Sequence, residues 1–194
     1  MLCRTVLIFL VLISTELKAQ GHLFNDIRNT PETISASHIL AHNIRAIGFR
    51  YFWATQDLTA QDLGFRPSEG ARSTQETLEH LYGLATMIAS AVEDEIFQRP
   101  TEQQLWPFSK LREQTITLLE AAYHRALKLS DEDLQRVQIR FQSASGERSF
   151  PIWNLIHGPL ADAQYHIGQL VSFRRSSGNP IDPKLNVFLG TKNN

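Results

Sequence analysis

Residues 73–92, STQETLEHLYGLATMIASAV, decide how the rest of the chain is read. Ser73-Thr-Gln-Glu76 is a capping box: the serine hydroxyl takes the backbone N–H three residues on, and the glutamate reaches back to the serine's own N–H. From there Leu78, Leu81, Ala85, Ile88, Val92 and Ile96 recur at three- and four-residue spacings. That is the period of a helix with one apolar face. A helix is therefore expected from Ser73 up to the stop at Arg99-Pro100.

The same period recurs on either side. Upstream, Thr30-Pro31 reads as an N-cap followed by a first-turn proline. Leu40, Ile44, Ile47, Tyr51 and Ala54 then form one face of a helix expected to run to about Asp57. Residues 20–29 read as a loose leader, and residues 64–70 (GFRPSEG) as a connection. Downstream, a third helix opens near Trp106-Pro107 and carries Leu111, Leu118, Ala122, Ala126 and Leu129. Ser130-Asp-Glu-Asp133 ends it or begins one further turn. Only Val137, Ile139 and Phe141 alternate with period two, and with the turn residues Ser145-Gly146-Glu147 they predict a small hairpin. The last helix is expected over residues 152–176, where Gly158-Pro159 either kinks it or marks its true start. Ser177-Gly178-Asn179-Pro180 closes it and leaves an irregular tail. Four long amphipathic helices and almost no strand predict an all-α fold, an antiparallel four-helix bundle with a small hairpin before the last helix.

The first residues bear on compartment. Arg4, the apolar run at residues 6–13 and the small Ala19 before Gln20 have the three-part layout of a signal peptide over residues 1–19. The run is too short for a stable membrane span. Cys3 precedes it, which excludes a lipoprotein site. The expected product is secreted or periplasmic, a single domain over residues 20–194 with no stable membrane insertion. An uncleaved N-terminal anchor is the alternative. Taking residues 1–19 away leaves 175 residues with no cysteine, 17 basic and 19 acidic, a net charge of −2. Disulfide frameworks, thiolate metal sites and cysteine nucleophiles are thereby excluded. Without a basic excess or patch, no nucleic-acid partner is expected. The expected partner is a small-molecule substrate, and a homodimer stays open.

Chemistry concentrates on the last helix, at Asp162-Ala-Gln-Tyr-His166. Residues four apart differ by about 40° of rotation, so carboxylate and imidazole project from one face. Leu155, Leu170 and Phe173 share that face. Burying both polar groups without partners would cost several kcal/mol, on the order of the usual desolvation penalty. A divalent cation would compensate, since both are good ligands for zinc, nickel or manganese. A plain hydrogen-bonded pair at a helix edge would also compensate. His80 lies on the flank of the second helix's apolar stripe, with Leu84 and Met87 on its side. It reads either as a satisfied core histidine or as a third ligand from a facing helix. Three protein ligands with open positions is the arrangement of catalytic metals.

Two stretches then carry a resemblance. Residues 73–82 (STQETLEHLY) are similar to the second helix of the DinB-like superfamily. Residues 151–170 (PIWNLIHGPLADAQYHIGQL) are similar to its last helix, where H-x-x-x-H is followed closely by Gly-Gln. Gly168-Gln169 fits, His166 takes the second histidine's place and Asp162 takes the first one's. The resemblance implies a bundle holding one divalent metal on His80, Asp162 and His166, with His-Asp-His replacing three histidines. It further implies metal-dependent chemistry, hydrolysis or thiol transfer on an unknown substrate. The alternative is a non-enzymatic exported protein that binds metal or a small ligand.

Other groups carry less. His38 and His42 form H-x-x-x-H but lie about 200° from Leu40, facing away from the core. His157 is half a turn from His166 and joins it only if the proline kink reorients the chain. His22 and His124 have no recognisable partner. Arg174-Arg175 reads as C-terminal helix capping, or as an arginine reaching an anionic ligand at the bundle mouth. Trp53, Trp106 and Trp153 read as core and edge packing.

Overall fold

The computed structural model describes residues 22–100 and 106–193. The expected signal peptide lies outside the described residues. The elements run α1 (Ala36–Ala54), α2 (Ala60–Gly64), α3 (Thr74–Val92), β1 (Ile96–Phe97), α4 (Phe108–Ala126), α5 (Asp131–Arg136), β2 (Gln138–Ser143) and β3 (Gly146–Pro151). There follow α6 (Ile152–Leu155), a π-type turn (Ile156–Leu160), α7 (Ala161–Ser177), β4 (Leu185–Asn186) and β5 (Thr191–Lys192). The protein is largely helical but not purely α. β2 and β3 form the expected hairpin, and β1 adds to β2 in parallel to make a three-stranded sheet.

The long helices meet largely through the faces expected of them, although on α4 Leu119 is buried and the expected Leu118 only half-buried. α3 packs on α4 and α7, and α1 packs on the same two. Leu40, Ile44, Ile47, Tyr51, Leu78, Leu81, Ile88, Leu111, Leu119 and Leu170 all belong to one buried cluster. Burying such side chains is worth roughly 1.5–3 kcal/mol each, which outweighs the weak propensity of the β-branched residues among them. The Ser73 capping box is present, with Glu76 N–H donating to Ser73 Oγ at 3.1 Å and Ser73 N–H to Glu76 Oε2 at 2.7 Å. Thr59 with Asp62 and Ser130 with Asp133 make two further boxes, the latter beginning α5 and settling the open alternative there. Among the described residues no helix is long and apolar enough to cross a membrane.

Several boundaries differ from expectation. α1 starts at Ala36, not after Thr30, because Ser35 Oγ caps it by accepting from His38 N–H. α3 ends at Val92: Asp94 adopts a left-handed φ of 58° and Ile96 enters the sheet instead of extending the helix. The leader is not loose. Phe24 is fully buried and its ring occupies the space where a Cβ at Gly48 would stand. Arg45 donates to the carbonyls of Asp26 and Asn29, and Trp53 Nε1 to that of Asn25. The tail is also more ordered than expected, with β4 and β5 paired and Ile27 N–H donating to the Gly190 carbonyl. Gly190 has φ +67°, and Ile27 fills the space beside its Cα.

The last helical stretch is interrupted at Gly158-Pro159. Gly158 takes φ −96° and ψ −106° inside the π-type turn, and helical geometry resumes in α7. Proline lacks an N–H and crowds the preceding turn, so the extra residue is accommodated as a bulge. The helix is kinked, not begun, at this point. α7 ends as expected at Gly178, whose φ of 92° suits glycine.

Candidate metal centre

α3 and α7 bring His80, Asp162 and His166 together. Each offers one ligand atom, and these atoms lie within 4.8 Å of one another. His80 Nε2 stands 3.1 Å from Asp162 Oδ2, and His166 Nε2 stands 3.4 Å from Asp162 Oδ1. The carboxylate therefore sits between two imidazoles whose rings are edge to face, centroids 4.5 Å apart. An ion about 2.0–2.1 Å from tetrahedrally placed donors sets those donors about 3.3–3.4 Å apart. The two carboxylate–imidazole spacings, to different oxygens of Asp162, lie close to that value, and with all three donors within 4.8 Å the group could hold a metal ion.

The surroundings shape each donor differently. His166 is buried, whereas His80 and Asp162 are partly exposed. Burial lowers the pKa of His80, more than its hydrogen bond to Asp162 raises it, and the nearby His166 and Arg72 lower it further. A neutral imidazole is the form that ligates. Gln169, one turn beyond, places its amide oxygen 2.7 Å from His166 Nδ1. With the amide oxygen as acceptor Nδ1 is the donor, and a neutral ring would then turn its Nε2 lone pair toward the Asp162 carboxylate. Two lone pairs then face each other unless a proton or a cation stands between them. Gln169 entered the sequence reading only as part of the Gly-Gln pattern; its i+3 spacing from His166 was the signal for this orienting role.

The remaining candidates lie elsewhere. His38 and His42 are half-buried on α1, and His38 Nδ1 is 2.8 Å from the Thr33 carbonyl. His157 is exposed; the kink brings it to the rim of the open hollow that Asp162 and Tyr165 also line, but not into the ligand group. His22 does have partners, stacking on Phe52 and standing 3.3 Å from Glu120. Arg174 is buried and serves the fold: it donates to the carbonyls of Ala54, Gln56 and Asn179. Of the two alternatives for Arg174-Arg175, Arg174 thus takes the structural one, while Arg175 is exposed. Trp53 is buried and Trp106 packs edge to face with Tyr82, but Trp153 is 67% exposed.

No family model, curated protein or solved structure matches this chain. Nothing in these comparisons identifies a DinB-like family.

Proposed function

We propose that this is an exported DinB-like four-helix-bundle protein that binds one divalent metal ion on His80, Asp162 and His166 and uses it for hydrolysis. The observation that supports this most is the arrangement around His166. Gln169 holds its Nδ1 proton and leaves Nε2 facing a carboxylate oxygen 3.4 Å away, a gap suited to a cation. Such an ion would supply Lewis-acid activation of a water or a substrate oxygen. The chain's own groups do the rest. His166 is the fixed, buried donor, Asp162 brings the negative charge, and His80 forms the partly exposed edge where a substrate approaches. Zinc, nickel and manganese all suit two imidazoles and a carboxylate. Hydrolysis is favoured over thiol transfer because low-molecular-weight thiols are scarcer in the oxidising compartment that the leader implies.

A second reading rests on the 3.1 Å contact between His80 and Asp162, which is complete without any ion. On that reading the trio is a polar cluster, or the metal site of an exported protein that catalyses nothing. Metal analysis of purified protein separates these. About one equivalent of zinc, nickel or manganese after reconstitution supports the site, whereas less than a tenth of an equivalent of each overturns it. Where an esterase or amidase activity is found, His166→Ala should abolish it with the helical circular dichroism intact. Unchanged turnover would sink the enzymatic reading.

A further inference from the structure

A cleft of ≈ 730 Å³ opens directly beside His80. That size suits a small molecule. Its charged lining is uneven. Arg66 and Glu76 pair with each other at 2.9 Å and largely cancel. Glu79 accepts from Gln75. Arg72 and Arg99 are exposed and make no hydrogen bond or ion pair among the described residues. Arg72 is also near enough for its charge to act on the His80 imidazole. Leu84, Met87 and Phe97 line the same cleft and supply its apolar surface.

Gly83 adds an independent observation. It sits inside α3, one turn after His80 and on the cleft, where glycine costs roughly 1 kcal/mol relative to alanine. Among the described residues, and apart from its chain neighbours and its own helix backbone, no heavy atom lies within 4 Å of where its Cβ would be. Packing therefore does not require glycine there, and its effect is to leave room in the cleft beside the imidazole.

We propose that this cleft binds a small molecule with one anionic group and an apolar body. Arg72 and Arg99 hold the anion, Leu84, Met87 and Phe97 carry the body, and the open space at Gly83 admits it next to His80. Guanidinium groups match carboxylate and phosphate geometry with paired donors, which is why two arginines without a partner among the described residues favour an anion over a neutral ligand. That the bound molecule is a substrate rests on the metal-centre reading; that it binds does not.

The test uses octanoate and octanamide, which share an apolar body and differ in charge, titrated calorimetrically into the metal-free protein. Octanoate should bind with one-to-one stoichiometry and octanamide at least tenfold more weakly. Arg72→Gln combined with Arg99→Gln should weaken octanoate at least tenfold and change octanamide by less than threefold. Gly83→Leu, which places a side chain in open space on a helix, should fold normally and lose both ligands. Equal affinities for the two probes, an unchanged octanoate affinity in the double variant, full binding to Gly83→Leu, or no binding at all each overturn the proposal. Octanoate binding by a protein that takes up no metal would overturn the metal-centre reading and leave the cleft standing.

Discussion

His80 and Asp162 are separated by 82 residues of chain, and their side chains meet at 3.1 Å across the α3–α7 contact. Both are partly exposed, so solvent screens the pair and its contribution to folding is small. What the contact does is hold a carboxylate at a fixed place between two imidazoles.

Asp162→Asn tests that division of roles. The amide keeps the shape and removes the charge, so zinc affinity should fall at least tenfold while the unfolding midpoint moves by less than about 1 kcal/mol equivalent. Competition with a chromophoric chelator reads the first quantity and urea denaturation the second. A large loss of stability with unchanged zinc affinity would contradict the assignment.

Gln169 acts on the site only through His166 Nδ1, 2.7 Å away. Gln169→Leu frees the ring to rotate and to change tautomer. Partners of this kind are worth about 10–100-fold in metal affinity. The same competition assay should show a loss in that range, and Gln169→Glu, which retains an acceptor, should recover most of it.

His80 makes the metal-free protein sensitive to mild acid. Burial lowers its folded pKa below that of an ordinary histidine, with His166 and Arg72 adding to the effect against the opposing hydrogen bond to Asp162. The unfolded chain therefore takes up this proton more readily than the folded one. Stability is fully present above about pH 6.5 and declines as the pH falls through the window below it. Denaturant titrations at pH 7.5, 6.5 and 5.5 should show the decline, and His80→Gln should flatten it. An identical slope in the variant would assign the effect to other groups.

Arg174 and Asp62 make the clasp that holds α7 to the end of α1. Arg174 occupies the carbonyls that α1 leaves unpaired, and Asp62 accepts from Ser177, Asn179 and Thr59. Burial acts to raise the Asp62 pKa, but those hydrogen bonds prevail and bring it to about 2. Its stabilisation is present above the unfolded value of 3.8 and is lost as the pH falls toward 2. Arg174→Met should lower stability by about 2–4 kcal/mol, because it leaves buried carbonyls unpaired. In a chain of this size that is a fall of roughly 5–15 °C in Tm by calorimetry, with zinc affinity unchanged.

Legibility varied with how local the deciding interaction is. Ser73 and Glu76 are three residues apart, and their box is present as read. The hairpin alternation at Val137, Ile139 and Phe141 also became strand, with Val137 just before β2. Thr30-Pro31 misled because Ser35 offers an equally good cap closer to the apolar stripe. Residues 22–29 looked loose because nothing near them in sequence reveals that Gly48, Arg45 and Gly190 receive them. Two of His22's partners, Phe52 and Glu120, thirty and ninety-eight residues away, were equally hidden.

By itself the sequence determined the long helices, their apolar faces and the pairing of Asp162 with His166, since helical periodicity and i+4 spacing are properties of a short stretch of backbone. Only the tertiary structure decided that His80 faces that pair, that Arg174 is spent on α1, and that Arg72 and Arg99 border one cleft with Gly83. These depend on how helices cross and on which loop lies over which groove. Packing of the whole core sets such relationships, and no local spacing encodes them.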